Sequence, residues 1–284
     1  MSAEQPNQPE TTQRSDWPIV PTIEPTQDAA ELEAYLSDLV RSLAPIDFDG
    51  LPIYVKLQST LPDTFQYLQH TGGFCAWSLG EILKPSLGSQ YKGPGTAMVI
   101  ADAFYRHSLA DLSETEDSNR ILQGIMQPYF CGIAIHEAAH ILTWEQPFSV
   151  ELPADTVENS ARAIVAELEG EEALQRRKAV PHHLHEWPFI RACAHLAYRA
   201  EQGGLRRFRS YLLAAGDSYG LSSFAEYRSA LGDEPQRMID ASFREIRETP
   251  PPEAFSTVWR DDMSAFAART VEAVRQEIPA ATQV

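Results

Sequence analysis

Residues 131–140 read Cys-Gly-Ile-Ala-Ile-His-Glu-Ala-Ala-His, and the organisation of the chain is read outward from them. Cys131 to Ile135 are apolar or small, and Ala138, Ala139, Ile141 and Leu142 continue the pattern, so the segment reads as a helix buried on most sides. Two histidines and a glutamate are set into this apolar helix, where polar groups are costly unless something compensates them. His136 and His140 stand four residues apart. On a helix that places them about 40° from one another and one turn along the axis, so both imidazoles reach one ion. Glu137 lies about 60–100° round from them, close enough to meet a metal-bound water without being forced to ligate. The chemistry needs this division. Neutral imidazoles hold Zn2+ with a coordination position left open, the ion lowers the pKa of its water toward about 7, and the carboxylate takes the proton. The alternative is an ordinary buried helix whose histidines pair with backbone groups or carboxylates.

Upstream, Leu32, Tyr35, Leu36, Leu39, Val40 and Leu43 repeat at helical spacing, which predicts a helix over Asp28–Leu43 with Asp28 as N-cap and Pro45 as stop. Leu51–Leu57 is β-branched and aromatic between Asp49-Gly50 and Pro62 and reads as a strand. Trp77–Leu83 reads as a short helix or turn, the Gly- and Pro-rich run Lys84–Gly95 as a loop, and Thr96–Asp102 as a buried strand. The polar stretch 108–118 precedes a helical region from Asn119 to Trp144. Pro128 inside it predicts a break, with a new helix opening there. Downstream, Ala154–Ala179 carries the stripe Val157, Ala161, Ile164, Val165 and Leu168, and Glu186–Glu201 is apolar on two faces. Residues 205–278 are helical in pattern, punctuated by Gly216, Gly220, Gly232 and Pro250-Pro251-Pro252, and the final residues look frayed. The fold class expected is α+β, mainly α.

The chain has 284 residues, with 23 Lys and Arg against 40 Asp and Glu, for a net charge of −17. A phosphate-binding protein needs clustered positive charge, so neither nucleic acid nor an anionic membrane is expected as the main partner. With 43% hydrophobic residues the chain has ample material for a core. Residues 1–27, rich in Gln, Pro, Thr and Ser, read as a flexible tail, with a single domain over 28–278. Cys75, Cys131 and Cys193 are three in number and lack metal-knuckle spacing, which points to a reducing compartment rather than a disulfide scaffold. The opening residues show no basic-then-apolar leader, and no stretch approaches about 18 uninterrupted apolar residues. A cytoplasmic protein is the expectation.

His136-Glu137-Ala138-Ala139-His140, with strands before it and helices after it, resembles the zincin metallopeptidases over about residues 50–200. The resemblance implies a zinc hydrolase that cleaves peptide bonds, with a small twisted sheet packed on the active-site helix. Thr96–Asp102 would then supply the edge strand that such enzymes use to bind substrate. It does not assign a subfamily. The metzincin continuation is absent, since Ile141-Leu142-Thr143-Trp144-Glu145 follows the second histidine. Two segments compete for the third ligand. His185 begins an H-x-x-x-F segment ending at Phe189, similar to the third-ligand segment of the SprT and WLM groups, but lies 45 residues beyond His140. Glu158, 18 residues beyond His140, resembles the glutamate helix of gluzincins and IrrE-type peptidases, but Arg162 stands where those carry Asp or Asn. His195 or another group is the remaining alternative.

The expected reaction is peptide hydrolysis with Glu137 as general base, His136, His140 and His185 (alternatively Glu158) as Zn2+ ligands, and a peptide or protein as substrate. Arg191 and His195 either stabilise an oxyanion or support the ligands, with Arg191 equally suited to pairing with one of the many carboxylates. Tyr105 and Tyr198 are candidate hydrogen-bond donors to the tetrahedral intermediate, or plain packing. His182 and His183 read as rim residues, Trp144 and Trp187 as core near the site, and Glu114–Asp117 as a solvated turn. The rival readings are a non-catalytic, zinc-stabilised interaction or regulatory protein, and a helical binding module in which the motif is accidental.

Overall fold

Three short strands form the one sheet seen among the described residues, and the apolar character of two of them follows from burial on both faces. The computed structural model describes residues 29–62, 73–76, 79–102, 116–143, 187–205 and 222–277. Helix α1 (Ala29–Leu43) leads to β1 (Ile53–Leu57), β2 (Gly73–Ala76), α2 (Leu79–Leu87) and β3 (Thr96–Ile100). The long helix α3 (Glu116–Thr143) follows, then α4 (Trp187–Gln202), α5 (Phe224–Leu231), α6 (Glu234–Arg237), α7 (Phe243–Glu248) and α8 (Glu253–Glu277). The described chain is thus α+β and mainly α. The expected tail over 1–27 and the expected helix over 154–179 lie outside the described residues. No helix among the described residues is long and apolar enough to cross a membrane.

The strand order is β1-β3-β2, with β1 parallel and β2 antiparallel to β3. Register pairs Ile53 with Thr96 and Leu57 with Ile100 on one side, and Gly73 with Ile100 and Ala76 with Ala97 on the other. Every residue of β1 and β3 is buried. Their side chains alternate between two layers: Ile53, Val55, Leu57, Met98 and Ile100 join the main core with α1, α3 and α4, while Tyr54, Ala97 and Val99 pack with Leu79, Leu83 and Leu87 of α2.

Three expectations are corrected here. Thr96–Asp102 was expected to supply an edge strand, but β3 is central, and the antiparallel edge is β2, which the sequence did not reveal. The expected loop from Lys84 is helical as far as Leu87, with Pro85 inside α2. Leu79, Leu83 and Leu87, spaced four apart, bury one face of α2 on the sheet, which outweighs the hydrogen bond that a proline removes. Pro128 does not break the helix: α3 runs through it without interruption. An interior proline costs about 3 kcal/mol, whereas each large apolar side chain buried after it returns about 1.5–3 kcal/mol, and Phe130, Ile133, Ile135 and Ile141 are all buried.

Buried polar groups tie the layers together. Glu33 on α1 accepts from Lys56 Nζ at 2.5 Å, the Leu57 amide at 2.9 Å and Thr60 Oγ1 at 2.7 Å, so helix and strand share one satisfied carboxylate. Asp102 accepts from the amide and hydroxyl of Ser59, joining the ends of β1 and β3. Arg199 donates to the Leu43 carbonyl at the end of α1 and to the Ala241 carbonyl, with its guanidinium 4.6 Å above the Phe243 ring. Such a cation suits a helix C-terminus. Ser223 and Glu226 form a capping box at the start of α5, and Ser242 caps α7.

Candidate metal centre

The buried face of α3 carries the motif into the middle of the molecule. Residues 131–135 and 137–139 are buried, while His136 and His140 are half-buried, so the two imidazoles sit where the apolar wall opens. Their ring centroids are 4.9 Å apart with the planes 75° to one another, as expected for neighbours one turn apart on a helix. Phe189 of α4 touches both rings, 4.3 Å from the His140 centroid and 4.8 Å from that of His136. Phe189, the last residue of the H-x-x-x-F segment, therefore packs on the motif. His185 and Glu158 lie outside the described residues, as do Tyr105, Trp144, His182 and His183.

Glu137 lays its side chain against β2, with Oε1 close to Gly73. Its side chain is 4% exposed, and burial pushes its carboxyl up to about 7, with a hydrogen bond from the Cys75 thiol working in the opposite direction. Cys75 also donates to the Glu137 carbonyl oxygen at 3.4 Å. Gly73 is the reason the strand comes so close. A Cβ at that position would stand 2.8 Å from Ile133 Cγ2, 3.0 Å from the Val99 carbonyl oxygen and 3.1 Å from Glu137 Oε1. Only a glycine lets the strand lie against the motif helix at this distance. Sequence reasoning missed β2, because four residues are too few to show a period. All three cysteines are free and buried, and Cys75 and Cys193 have their thiols raised by burial and by the nearby Glu137 carboxylate.

Arg191 and His195 are drawn into a network with Glu234. Arg191 Nε donates to Glu234 Oε1 at 2.8 Å and its Nη1 donates to the Thr249 carbonyl at 2.7 Å. His195 Nε2 bonds the same Oε1 at 2.8 Å. An ionised carboxylate only accepts, so the imidazole donates from Nε2. Burial lowers the His195 pKa, with Glu234 opposing. On Glu234, burial works upward but the bonds from His195 and Arg191 prevail and hold the carboxyl below its ordinary range. Arg191 thus takes up the carboxylate pairing foreseen for it, and His195 is engaged with Glu234. Tyr198 is half-buried on α4, and Trp187 is buried at its start. Nothing in the spacing of residues 191, 195 and 234 signals this triad, which joins two helices far apart in sequence.

The donor set of α3, two imidazoles one turn apart at the edge of an apolar surface, fits a borderline divalent ion such as Zn2+ as two of its ligands. No group of three His, Cys, Asp or Glu side chains among the described residues is placed to hold a metal ion. Comparison of the chain with protein-family models, with curated proteins and with solved structures gives no match.

Proposed function

We propose that this chain is a zincin-like, zinc-dependent metallopeptidase of the cytoplasm, with His136 and His140 as two ligands and Glu137 as general base. The observation that carries this reading is the pairing, on one apolar helix, of two half-buried imidazoles 4.9 Å apart with a buried carboxyl at the position after the first of them. Bound there, Zn2+ would polarise the scissile carbonyl and acidify a water. Glu137 is the residue that would accept a proton from such a water and pass it to the leaving amine. Phe189 orients both imidazoles by packing against them. His185, four residues before Phe189, is the third ligand of this reading, with Glu158 as the alternative. The antiparallel edge strand β2 beside Glu137 suits an extended peptide added to the sheet. Three free, buried cysteines agree with a reducing compartment.

A non-catalytic, zinc-stabilised protein is the second reading, and the near-complete burial of Glu137 against Gly73 favours it. Glu137→Gln separates the two. A peptidase keeps its zinc, measured by atomic absorption, and loses hydrolysis of an unfolded substrate such as casein. If wild type and variant carry equal zinc and neither cuts any substrate, the structural reading holds. Wild-type protein without zinc refutes both. Zinc stoichiometry in His185→Ala beside Glu158→Ala identifies the third ligand.

A further inference from the structure

We propose that Cys75 is the positioning residue for Glu137: its thiol, reaching across from β2, holds the carboxyl in one orientation on the motif helix. Strand β2 meets Glu137 at two points. Residues 73 and 75 of a strand point to the same face, and here both meet α3. A Cβ on Gly73 would stand 3.1 Å from Glu137 Oε1, so the carboxyl lies directly on the strand. One step along that face, Cys75 Sγ is 3.4 Å from the Glu137 carbonyl oxygen. The strand thus touches both the backbone and the side chain of one residue. A carbonyl in a helix keeps a second lone pair for such a donor, and the carboxyl is the thiol's other acceptor. Among the described residues no other side chain donates to that carboxyl. A thiol suits the task, since it packs as a small hydrophobe and still offers a weak donor. Both groups are buried, Cys75 at 7% exposed and Glu137 at 4%, so water does not compete freely for the contact.

That this carboxyl serves as a base rests on the metallopeptidase reading. A base acts only within hydrogen-bond reach of the proton it takes, and a small misplacement is costly in rate. A glutamate side chain has several rotatable bonds, so losing its one donor frees it to swing. Cys193 on α4 provides the control. It lies in the field of the same carboxylate, is fully buried and makes no hydrogen bond to it, so truncating it removes similar volume and no donor.

The test reads the contact first and the rate second, on the full chain as purified. Infrared difference spectra at pH 8 record the S–H stretch of each thiol, and the band lost in Cys75→Ala is that of Cys75. In Glu137→Gln this band should move to higher frequency, because an amide is a weaker acceptor than a carboxylate, while the band of Cys131, whose neighbour is Tyr35, stays in place. A Cys75 band that does not move shows that the thiol does not reach the carboxyl, and overturns the proposal. Casein hydrolysis is then followed in three variants. Cys75→Ala should lower kcat about three- to tenfold with KM and zinc content unchanged, the loss expected for one hydrogen bond. Cys75→Ser, with a shorter reach but a stronger donor, should restore most of it, and Cys193→Ala should stay within about twofold of wild type. Equal losses in Cys75→Ala and Cys193→Ala, or no recovery with serine, reduce Cys75 to packing and overturn the proposal. Should Glu137→Gln not fold, these three variants decide alone. The two failures are separable. Protein without zinc or hydrolysis whose Cys75 band still answers to Glu137→Gln removes the peptidase and keeps the hold on the carboxyl; zinc and hydrolysis with an unresponsive band remove the hold alone.

Discussion

Replacing Glu234 by Gln keeps the shape of the side chain and removes only its charge, which makes it a clean probe of the buried network behind the metal centre. In the native protein Glu234 Oε1 receives two hydrogen bonds at 2.8 Å, from Arg191 and His195, with both side chains of the ion pair 2% exposed. A hydrogen bond to a charged group contributes about 1.5–3 kcal/mol and a neutral one about 0.5–1.5, so making the His195 bond neutral costs about 1–1.5 kcal/mol. The Arg191 charge then remains buried without its counterion, which brings the total toward the about 3–5 kcal/mol typical of breaking a buried pair. For a domain of this size that is a fall in Tm of about 6–20 °C. Glu248→Gln is the internal control. Its pair with Arg244 is an exposed i,i+4 bridge at 2.9 Å, with side chains 77% and 49% exposed, where solvent screens the interaction. Both variants are measured by urea unfolding and by calorimetry. A Glu234→Gln whose stability matches that of Glu248→Gln would refute the reasoning, because the burial of the charge would then carry no cost.

The same network predicts acid sensitivity. Both pKa values are lowered in the fold, from ordinary values of 6.5 for His195 and 4.5 for Glu234, so the unfolded chain binds protons first. The urea midpoint should stay high above pH 6.5, decline below it through His195, and fall further below 4.5 through Glu234; His195→Gln should flatten the first decline, and a midpoint that rises on acidification contradicts the assignment. Gly73→Ala forces its new methyl against Ile133 and the Val99 carbonyl, at an expected cost of about 1–3 kcal/mol, and it displaces Glu137; an unchanged Tm would show that β2 does not lie as described. The three thiols should resist iodoacetamide at pH 8 in the native protein and react fully in denaturant, since burial raises all of them, Cys131 to about 12; mass spectrometry counts the adducts, and a cysteine labelled natively is not in the core.

Helices were legible where their apolar residues recur every three or four positions. The stripe from Leu32 to Leu43 is the buried face of α1, and the two apolar stripes predicted for 186–201 match α4, which is buried almost all round. The motif was legible for the same reason, since His136 and His140 need only a helix to become neighbours. Pro128 and Pro85 misled because a local rule about one hydrogen bond cannot weigh the apolar area buried on either side of it. The strand β2 gave no signal, and its place at the sheet edge depends on pairing with β3, not on its four residues.

Composition and spacing alone determined that the chain is acidic, mainly helical and equipped with two histidines and a glutamate on one buried helix. Those properties are local, set by side-chain chemistry and a 3.6-residue repeat. Only the tertiary structure decided that β3 is central, that Phe189 packs on both imidazoles, that Gly73 lets a strand lie against Glu137, and that Glu234 joins Arg191 to His195. Each of those contacts joins residues tens of positions apart. Their energies come from burial and pairing across the core, which no reading of neighbouring residues contains.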